Sequence, residues 1–220
     1  FFPSIWKYYH NSHPNISIEL VDGNSDTLDD LLHTGKIDLY IGIDVPPTPN
    51  RTRIELAHEK IQCCFSESLL KAYYPDCWQT MLCDFEKGVD LTRLSHLPFI
   101  TLREGNRLRK GIDQFFSSHF LPQYIFECDQ QELVYELAKS GAGAGLLSPV
   151  IFYQHIMNNH TTEDPFYVFP VNNEIPENTM YLVYRNDYPL PRYTLDFIHH
   201  ACIVSKNYTR SMNQHFRTHK

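Results

Sequence analysis

The sequence predicts an α/β protein built from two lobes, each with a sheet covered by helices. Segments with helical periodicity alternate with short apolar or alternating segments, which is the order typical of parallel α/β sheets. Two stretches rich in Pro, Asn and Glu, near 44–58 and 172–178, are candidate crossings between lobes. They divide the chain into a first lobe of residues 1–66 plus 173–220 and a second lobe of residues 67–172.

The first lobe opens with two pairs of helix and strand. Helical spacing over residues 3–13 predicts a helix that Pro14 ends. Residues 16–23 alternate apolar and polar side chains, as a strand does. Ser25 is a candidate N-cap for a second helix, which Gly35 ends.

Asp38 is unusual because it lies within the apolar run 37–43, which predicts a strand covered on both faces. It directly follows a predicted helix, so we expect its carboxylate to accept hydrogen bonds from amides of the turn. The proline-rich residues 44–56 that follow predict an extended surface connection.

The second lobe continues the alternation, and the chain then returns to the first. We expect strands at 60–66, 97–102, 124–128, 142–148, 166–171 and 179–185, helices at 68–75, 107–120, 129–141, 149–159 and 190–206, and an irregular segment at 76–90. The strands at 37–43 and 179–185 should share one sheet, and those at 98–102, 124–128 and 144–147 another.

Composition excludes several classes of protein. The net charge of −7 argues against a surface built to neutralise phosphates, so this chain alone is expected to bind nucleic acid poorly. No apolar run approaches the ~18 residues that a membrane helix needs, which predicts a soluble protein. Six cysteines in 220 residues favour reduced thiols in a cytoplasm; Cys77 and Cys83 either pair or stay idle.

The residue patterns of common catalytic and metal sites are missing. Twelve histidines are scattered, and no set of three or four converging ligands is evident, so we expect no metal. No serine lies in a GxSxG setting, and the glycines of 142–148 precede a strand, unlike those of a dinucleotide fingerprint. We therefore expect no catalysis and no cofactor.

A basic cluster, Arg103, Arg107, Arg109 and Lys110, flanks the start of the helix predicted at 107–120. A solvated helix face explains it, and so does anion binding, because amides and the dipole at a helix N-terminus already favour negative charge.

Several motifs resemble the effector-binding domain of LysR-type transcriptional regulators. The segment GNSDTLDDLLHTGKID (23–38) is similar to the family's pattern G-x-S-x-x-L-x-x-L-x-x-G-x-apolar-D, with Asp38 as its aspartate. VDLTRLSHLPFITL (89–102) and the glycines before Pro149 are similar to two further family motifs. The resemblance extends to about residue 207, but the family's domain opens with a strand and a loop ahead of the helix at Pro3.

The resemblance implies a type II periplasmic-binding-protein-like fold, with two Rossmann-like lobes joined by two crossover segments. It implies a cytoplasmic bacterial regulator that binds a small effector between the lobes and forms a homodimer or homotetramer. The resemblance further implies that DNA is contacted through an N-terminal domain, which we expect to be missing from this chain. An extracytoplasmic solute-binding protein of a transporter shares the architecture, and an enzyme on the same fold is a third class.

The predicted ligand site lies beyond the carboxyl ends of the strands, where ligands collect in open α/β sheets. Amides near Ser25 and Asn106, with Arg103 or Arg107, favour a small anion; Asp129 repels an anion unless it is paired, and otherwise recognises an amine or hydroxyl. The resemblance implies that Ser25, Thr101 and Asp129 occupy positions at which the family contacts effectors. The full predicted set is Ser25, Thr101, Arg103, Asn106, Arg107, Asp129 and Gly143.

The first helix carries Trp6, Tyr8 and Tyr9, more apolar surface than one core face needs. Such surface usually marks an interface, and the resemblance implies that this helix takes part in a dimer.

Overall fold

The computed structural model describes residues 2–23, 25–156, 164–172, 175 and 177–215, leaving out the side chains of residues 25, 154–156 and 213–215. The chain divides into two compact units. The first comprises Phe1–Glu59 and Asn178–Ser211, and the second Lys60–Glu177 and Met212–Lys220.

The described residues form strands and helices in close alternation. The strands are β1 (Leu39–Ile43), β2 (Arg51–Glu59), β3 (Gln62–Ser66), β4 (Pro98–Leu102), β5 (Gln123–Cys128), β6 (Ala144–Leu147), β7 (Phe166–Pro170) and β8 (Asn178–Arg185). The helices are α1 (Phe2–Ser12), α2 (Ser25–His33), α3 (Glu67–Tyr73), α4 (Trp78–Phe85), α5 (Arg107–His119), α6 (Gln131–Lys139), α7 (Pro149–Ile156) and α8 (Arg192–His215).

The first unit contains a sheet of order β1-β8-β2, in which both pairings are antiparallel. Leu182 of the central strand β8 lies opposite Ile41 of β1 on one side and opposite Ile54 of β2 on the other. The predicted surface connection at 44–56 is therefore wrong for residues 51–56, which belong to β2. The last proline of this stretch is Pro49, two residues before β2 begins, so the prolines do not prevent this strand from pairing.

Residues 16–23 form no strand, contrary to the alternation of their side chains. Ile18, Leu20 and Val21 are 36%, 64% and 41% exposed. A strand is stable only when a neighbour takes up its backbone hydrogen bonds, and no described strand lies beside this segment. The sheet of the first unit is consequently not the parallel sheet that the order of elements predicts.

Asp38 also differs from expectation. Its side chain is exposed at the start of β1, and within the described part of the chain it accepts no hydrogen bond from the turn. The amides of that turn are satisfied by backbone carbonyls: Gly35 N–H donates to Leu32 O and Lys36 N–H to Leu31 O.

The second unit contains a mixed sheet of order β5-β4-β6-β3-β7. Strand β4 pairs in parallel with both β5 and β6, whereas β3 pairs antiparallel with β6 and β7. The expected separation of the strands into two sheets is confirmed, with 39–43 and 178–185 in one and β4, β5 and β6 in the other.

An aromatic core holds this sheet in place. Phe65 is fully buried, and its ring lies 6.3 Å from that of Phe85 and 6.0 Å from that of Phe169. Phe85 belongs to α4, a helix inside the segment 76–90 that was expected to be irregular. Such a short helix is stabilised by the packing of its apolar face, here Met81 and Phe85, rather than by a cap.

The division of the chain differs from the predicted boundary at residues 66 and 67. Strand β3 lies in the second unit because its hydrogen-bonding partners are β6 and β7.

All six cysteines are free, with Cys77 and Cys83 exposed on and beside α4. Among the helices that the structure describes, none is long and apolar enough to cross a membrane.

Candidate functional site

Three parallel strands of the second unit end at one edge of its sheet, and each leads into a helix. Strand β4 precedes α5, β5 precedes α6, and β6 precedes α7. The N-termini of three helices therefore lie at the carboxyl edge of β5-β4-β6. Each N-terminus presents backbone N–H groups and the positive end of a helix dipole, which together favour an anion.

Thr101 and Arg103 mark this edge on the central strand. Thr101 is buried in β4, opposite Glu127 of β5. Arg103 N–H donates to Cys128 O at 2.9 Å, extending the pairing of the strands by one residue. Its guanidinium lies 3.5 Å from the carboxylate of Asp129, and both side chains are exposed. Asp129 is thus paired, which reduces its repulsion of an anion.

Asn106 and Arg107 form the start of α5. The Asn106 side-chain oxygen accepts a hydrogen bond from Leu108 N–H at 2.9 Å, as an N-cap does. Gly105, at φ +90°, makes the turn that brings the chain from β4 into this cap, a conformation that few other residues adopt. Arg107 is exposed in the first turn of the helix.

Two of the seven predicted residues lie elsewhere. Ser25 begins α2 in the first unit, and its side chain is outside the described part of the structure. Gly143 precedes β6 and lies at the amino edge of the parallel strands. A Cβ atom there would stand 3.0 Å from the carbonyl oxygen of Pro98 and 3.1 Å from Ile100 Cγ1, so this glycine serves close packing against β4.

Three polar residues that sequence reasoning missed lie at the carboxyl edge. Ser148 is buried directly after β6, and its N–H donates to Gln131 Oε1 at 3.0 Å. Gln62 pairs with Leu147 at the end of β6, and its buried Oε1 has no hydrogen-bond partner among the described residues. A serine before a proline that opens a helix was the available signal for Ser148; Gln62 and Gln131 had none.

The guanidinium of Arg109 is paired within the protein, so it does not present an unpaired charge at this edge. Its guanidinium is buried and bonds Asp113 at 2.6 Å, Leu102 O at 2.8 Å and Glu127 at 3.2 Å. Burial by itself lowers the pKa of Arg109, but the hydrogen bonds and the charge of the carboxylates outweigh it and raise that pKa. Arg109 therefore fixes the end of β4, whereas the side chains of Arg103 and Arg107 are exposed.

Tyr124 completes this ionic network. Arg109 stacks 4.2 Å from the centre of its ring, and its hydroxyl donates to Asp113 Oδ1 at 2.5 Å. Burial and the bond to Asp113 raise the pKa of Tyr124, so it stays a hydrogen-bond donor at neutral pH.

The described residues contain no group of three or more His, Cys, Asp or Glu side chains arranged to hold a metal ion. The polar groups described at the carboxyl edge can form hydrogen bonds and ion pairs with a ligand.

The fold is that of effector-binding domains of bacterial regulators. The BenM effector binding domain with its effector benzoate matches with a TM-score of 0.66 at 20% identity, covering 93% of this chain and 86% of that one. The CcmR regulatory domain of Synechocystis PCC6803 in complex with 2-PG matches with a TM-score of 0.68 at 16% identity, covering 94% and 92%. Both likenesses concern the fold.

The sequence assigns the family. The LysR substrate binding domain profile matches residues 1–202, so the chain belongs to that family. It is also 29% identical over 151 residues to YwbI of Bacillus subtilis (strain 168), an uncharacterized HTH-type transcriptional regulator. That match covers 67% of this chain and 45% of YwbI, so the chain spans about half the length of its curated relative.

We expect Arg109→Lys to lower the free energy of unfolding by about 1–3 kcal/mol, measured by urea denaturation. Lysine keeps the charge but cannot reach Asp113, Leu102 O and Glu127 together. Arg93→Lys is the matched control, because Arg93 pairs with Asp84 in an exposed position and should change stability by less than about 0.5 kcal/mol. Equal losses in the two variants would contradict a special role for Arg109.

Proposed function

We propose that this chain senses a small-molecule effector and relays its binding to a DNA-binding domain of the same longer polypeptide, without catalysis. Membership of the LysR substrate binding domain family and the likeness to an HTH-type regulator support this proposal. A regulator of this kind works in the compartment that holds the DNA, the cytoplasm of a bacterium. The same comparisons favour a regulator over the solute-binding protein of a transporter.

The observation that carries the proposal is the set of three helix N-termini at the carboxyl edge of β5-β4-β6. The dipoles of α5, α6 and α7 and the cation of Arg107 favour a small carboxylate. Asp129 and Glu132, in or beside the first turn of α6, oppose it, but Asp129 is paired with Arg103. The BenM domain, which shares the fold, holds benzoate, which is such a carboxylate.

We assign the ligand contacts of the second unit to Thr101, Arg103, Asn106, Arg107 and Asp129. Ser148 is added because it is buried at the same edge, with its hydroxyl at the start of α7. Ser25 stays a predicted contact in the first unit. Gly143 is assigned to packing rather than to ligand contact, because it lies at the amino edge and packs closely against β4.

The test is calorimetry with a panel of small carboxylates that includes benzoate. A carboxylate that binds the wild-type protein should bind Thr101→Val roughly 10- to 100-fold more weakly, because a hydrogen bond to a charged group contributes about 1.5–3 kcal/mol. Valine keeps the shape of threonine and suits a strand, so folding should persist.

Thr52→Val is the control, since Thr52 lies in β2 of the first unit and does not belong to the predicted set of ligand contacts. Unchanged affinity in Thr101→Val, or equal weakening in the two variants, would contradict the assignment.

We also propose that the protein forms homodimers. Tyr9 of α1 is buried and donates to Tyr193 O, so it belongs to the core, whereas Tyr8 is 54% exposed. The edge strand β5 is a second apolar surface, with Ile125 and Phe126 more than two fifths exposed. Exposed apolar side chains on an edge strand favour association.

Phe126→Glu should shift the protein from dimer to monomer in light scattering, because it places a charge on that strand. Tyr188→Glu, at a 65% exposed tyrosine of the first unit, should leave the dimer intact. A wild-type protein that stays monomeric at high concentration would refute the dimer, and a dimeric Phe126→Glu variant would exclude this surface.

A further inference from the structure

A buried glutamine lies at the carboxyl edge of the second unit. Gln62 of β3 pairs with Leu147, the last residue of β6, so it stands level with the point where β6 ends. Only 2% of Gln62 is exposed. Its Nε2 donates to Lys60 O at 2.8 Å, which fixes the orientation of the side-chain amide, because the reverse orientation would place two oxygens together. Its Oε1 then has no hydrogen-bond partner among the described residues.

The side chain of Gln62 lies on the face of the sheet that α6 covers. Alternate residues of a strand share a face, and β3 pairs with β6 without a bulge, so Gln62 and Cys64 point the same way. A Cβ atom on Gly145, opposite Cys64, would stand 3.1 Å from Cys64 Sγ and 3.0 Å from Val134 Cγ1 of α6. Gln62 lies two residues nearer to the carboxyl edge, where α6 begins.

The three helix N-termini at this edge differ in their caps. Asn106 caps α5, and α7 begins with Pro149, which has no N–H group. The N-cap of α6 is Gln130, whose side chain accepts no hydrogen bond from the first turn. The N–H groups at the start of α6 are therefore the best placed to donate to the carboxylate of a ligand. Gln62 lies on the face of the sheet that this helix covers.

A buried acceptor without a partner destabilises the protein that contains it, so such a group calls for an explanation. A ligand that donates a hydrogen bond to Gln62 Oε1 would supply the partner. A neutral hydroxyl suits this position better than an ammonium group, because a buried charge beside a single neutral carbonyl is costly. The charged groups nearest in sequence to the start of α6 are exposed, and they are Asp129, which pairs with Arg103, and Glu132.

We propose that Gln62 selects, among small carboxylates, those that carry a hydroxyl group. The carboxylate accepts hydrogen bonds from the N–H groups at the start of α6, and the hydroxyl donates to Gln62 Oε1. This oxygen is enclosed, so the side chains over it move when the hydroxyl enters. The inference rests on the proposed function, since it names the class of effector that the carboxyl edge binds.

Calorimetry with matched pairs of carboxylates tests the selection. The pairs are 3-hydroxybenzoate with benzoate, lactate with propionate, and malate with succinate. In a pair that binds the wild-type protein, the hydroxylated member should bind about 5- to 10-fold more tightly, the effect of one hydrogen bond between neutral groups. Gln62→Met keeps the length of the side chain but has no amide, and should bind both members within about twofold of each other.

Gln123→Met is the matched control. Gln123 is exposed and pairs with Pro98 at the amino edge of the parallel strands, so its replacement should leave the preference for the hydroxylated member unchanged. The melting temperature of each variant is measured alongside. A glutamine that only supports the fold would lower the melting temperature when replaced and leave the preference as it was.

Nuclear magnetic resonance of the wild-type protein gives a readout that needs no variant to fold. The side-chain NH₂ signals of Gln62, assigned through its own side-chain carbons, should shift on saturation with a hydroxylated carboxylate. They should shift much less with the matched carboxylate that lacks the hydroxyl, because only the first ligand bonds the same amide group.

The outcomes separate this inference from the function on which it rests. Binding of none of the pairs would contradict the proposed function and this inference together. Carboxylates that bind at the carboxyl edge without a preference for the hydroxyl would overturn this inference alone. A preference that Gln62→Met retains, or Gln62 NH₂ signals that respond equally to both members of a pair, would do the same.

Discussion

The parallel pairing of β4 with β5 on one side and β6 on the other is the constraint on which the candidate site depends. Parallel strands cannot be joined by a tight turn, so each must be followed by a crossover, here a helix. Their carboxyl ends lie at one edge, and α5, α6 and α7 all begin there. The sheet thus brings positive helix ends and polar side chains together at one edge, beside the basic cluster that flanks the start of α5.

Buried charge keeps that edge in place. Arg109 bonds the carbonyl of Leu102 and two carboxylates, and so ties the end of β4 to α5 and β5. A buried guanidinium is costly unless its hydrogen bonds are satisfied, and these are. These hydrogen bonds explain why the side chain of Arg109 is buried, whereas those of Arg103 and Arg107, close to it in sequence, are exposed.

Sequence reasoning predicted what depends on local pattern and missed what depends on partners. Apart from α4, the strands and helices of the second unit follow from periodicity, and the choice of Thr101, Asn106 and Asp129 as candidate contacts follows from the rule that ligands collect beyond strand ends. The edge at which Gly143 lies could not be predicted, because a glycine next to a strand fits either edge, and only the register of β6 with Pro98 and Ile100 decides between them. Residues 16–23 have the alternating pattern of a strand. A strand also needs a neighbouring strand for its backbone hydrogen bonds, and the pattern of the segment itself cannot show whether that neighbour is there.

Nuclear magnetic resonance of the backbone amides during titration tests the central claim, that a small carboxylate binds at the carboxyl edge of β5-β4-β6. The titrants are those carboxylates of a benzoate-containing panel that raise the melting temperature of the protein. The account predicts saturable shifts that are largest at residues 101–107 and 129–132 and at Ser148 and Val150, and small at the amino edge near Gly143. Saturable shifts confined to other residues, with these amides unmoved, would contradict it.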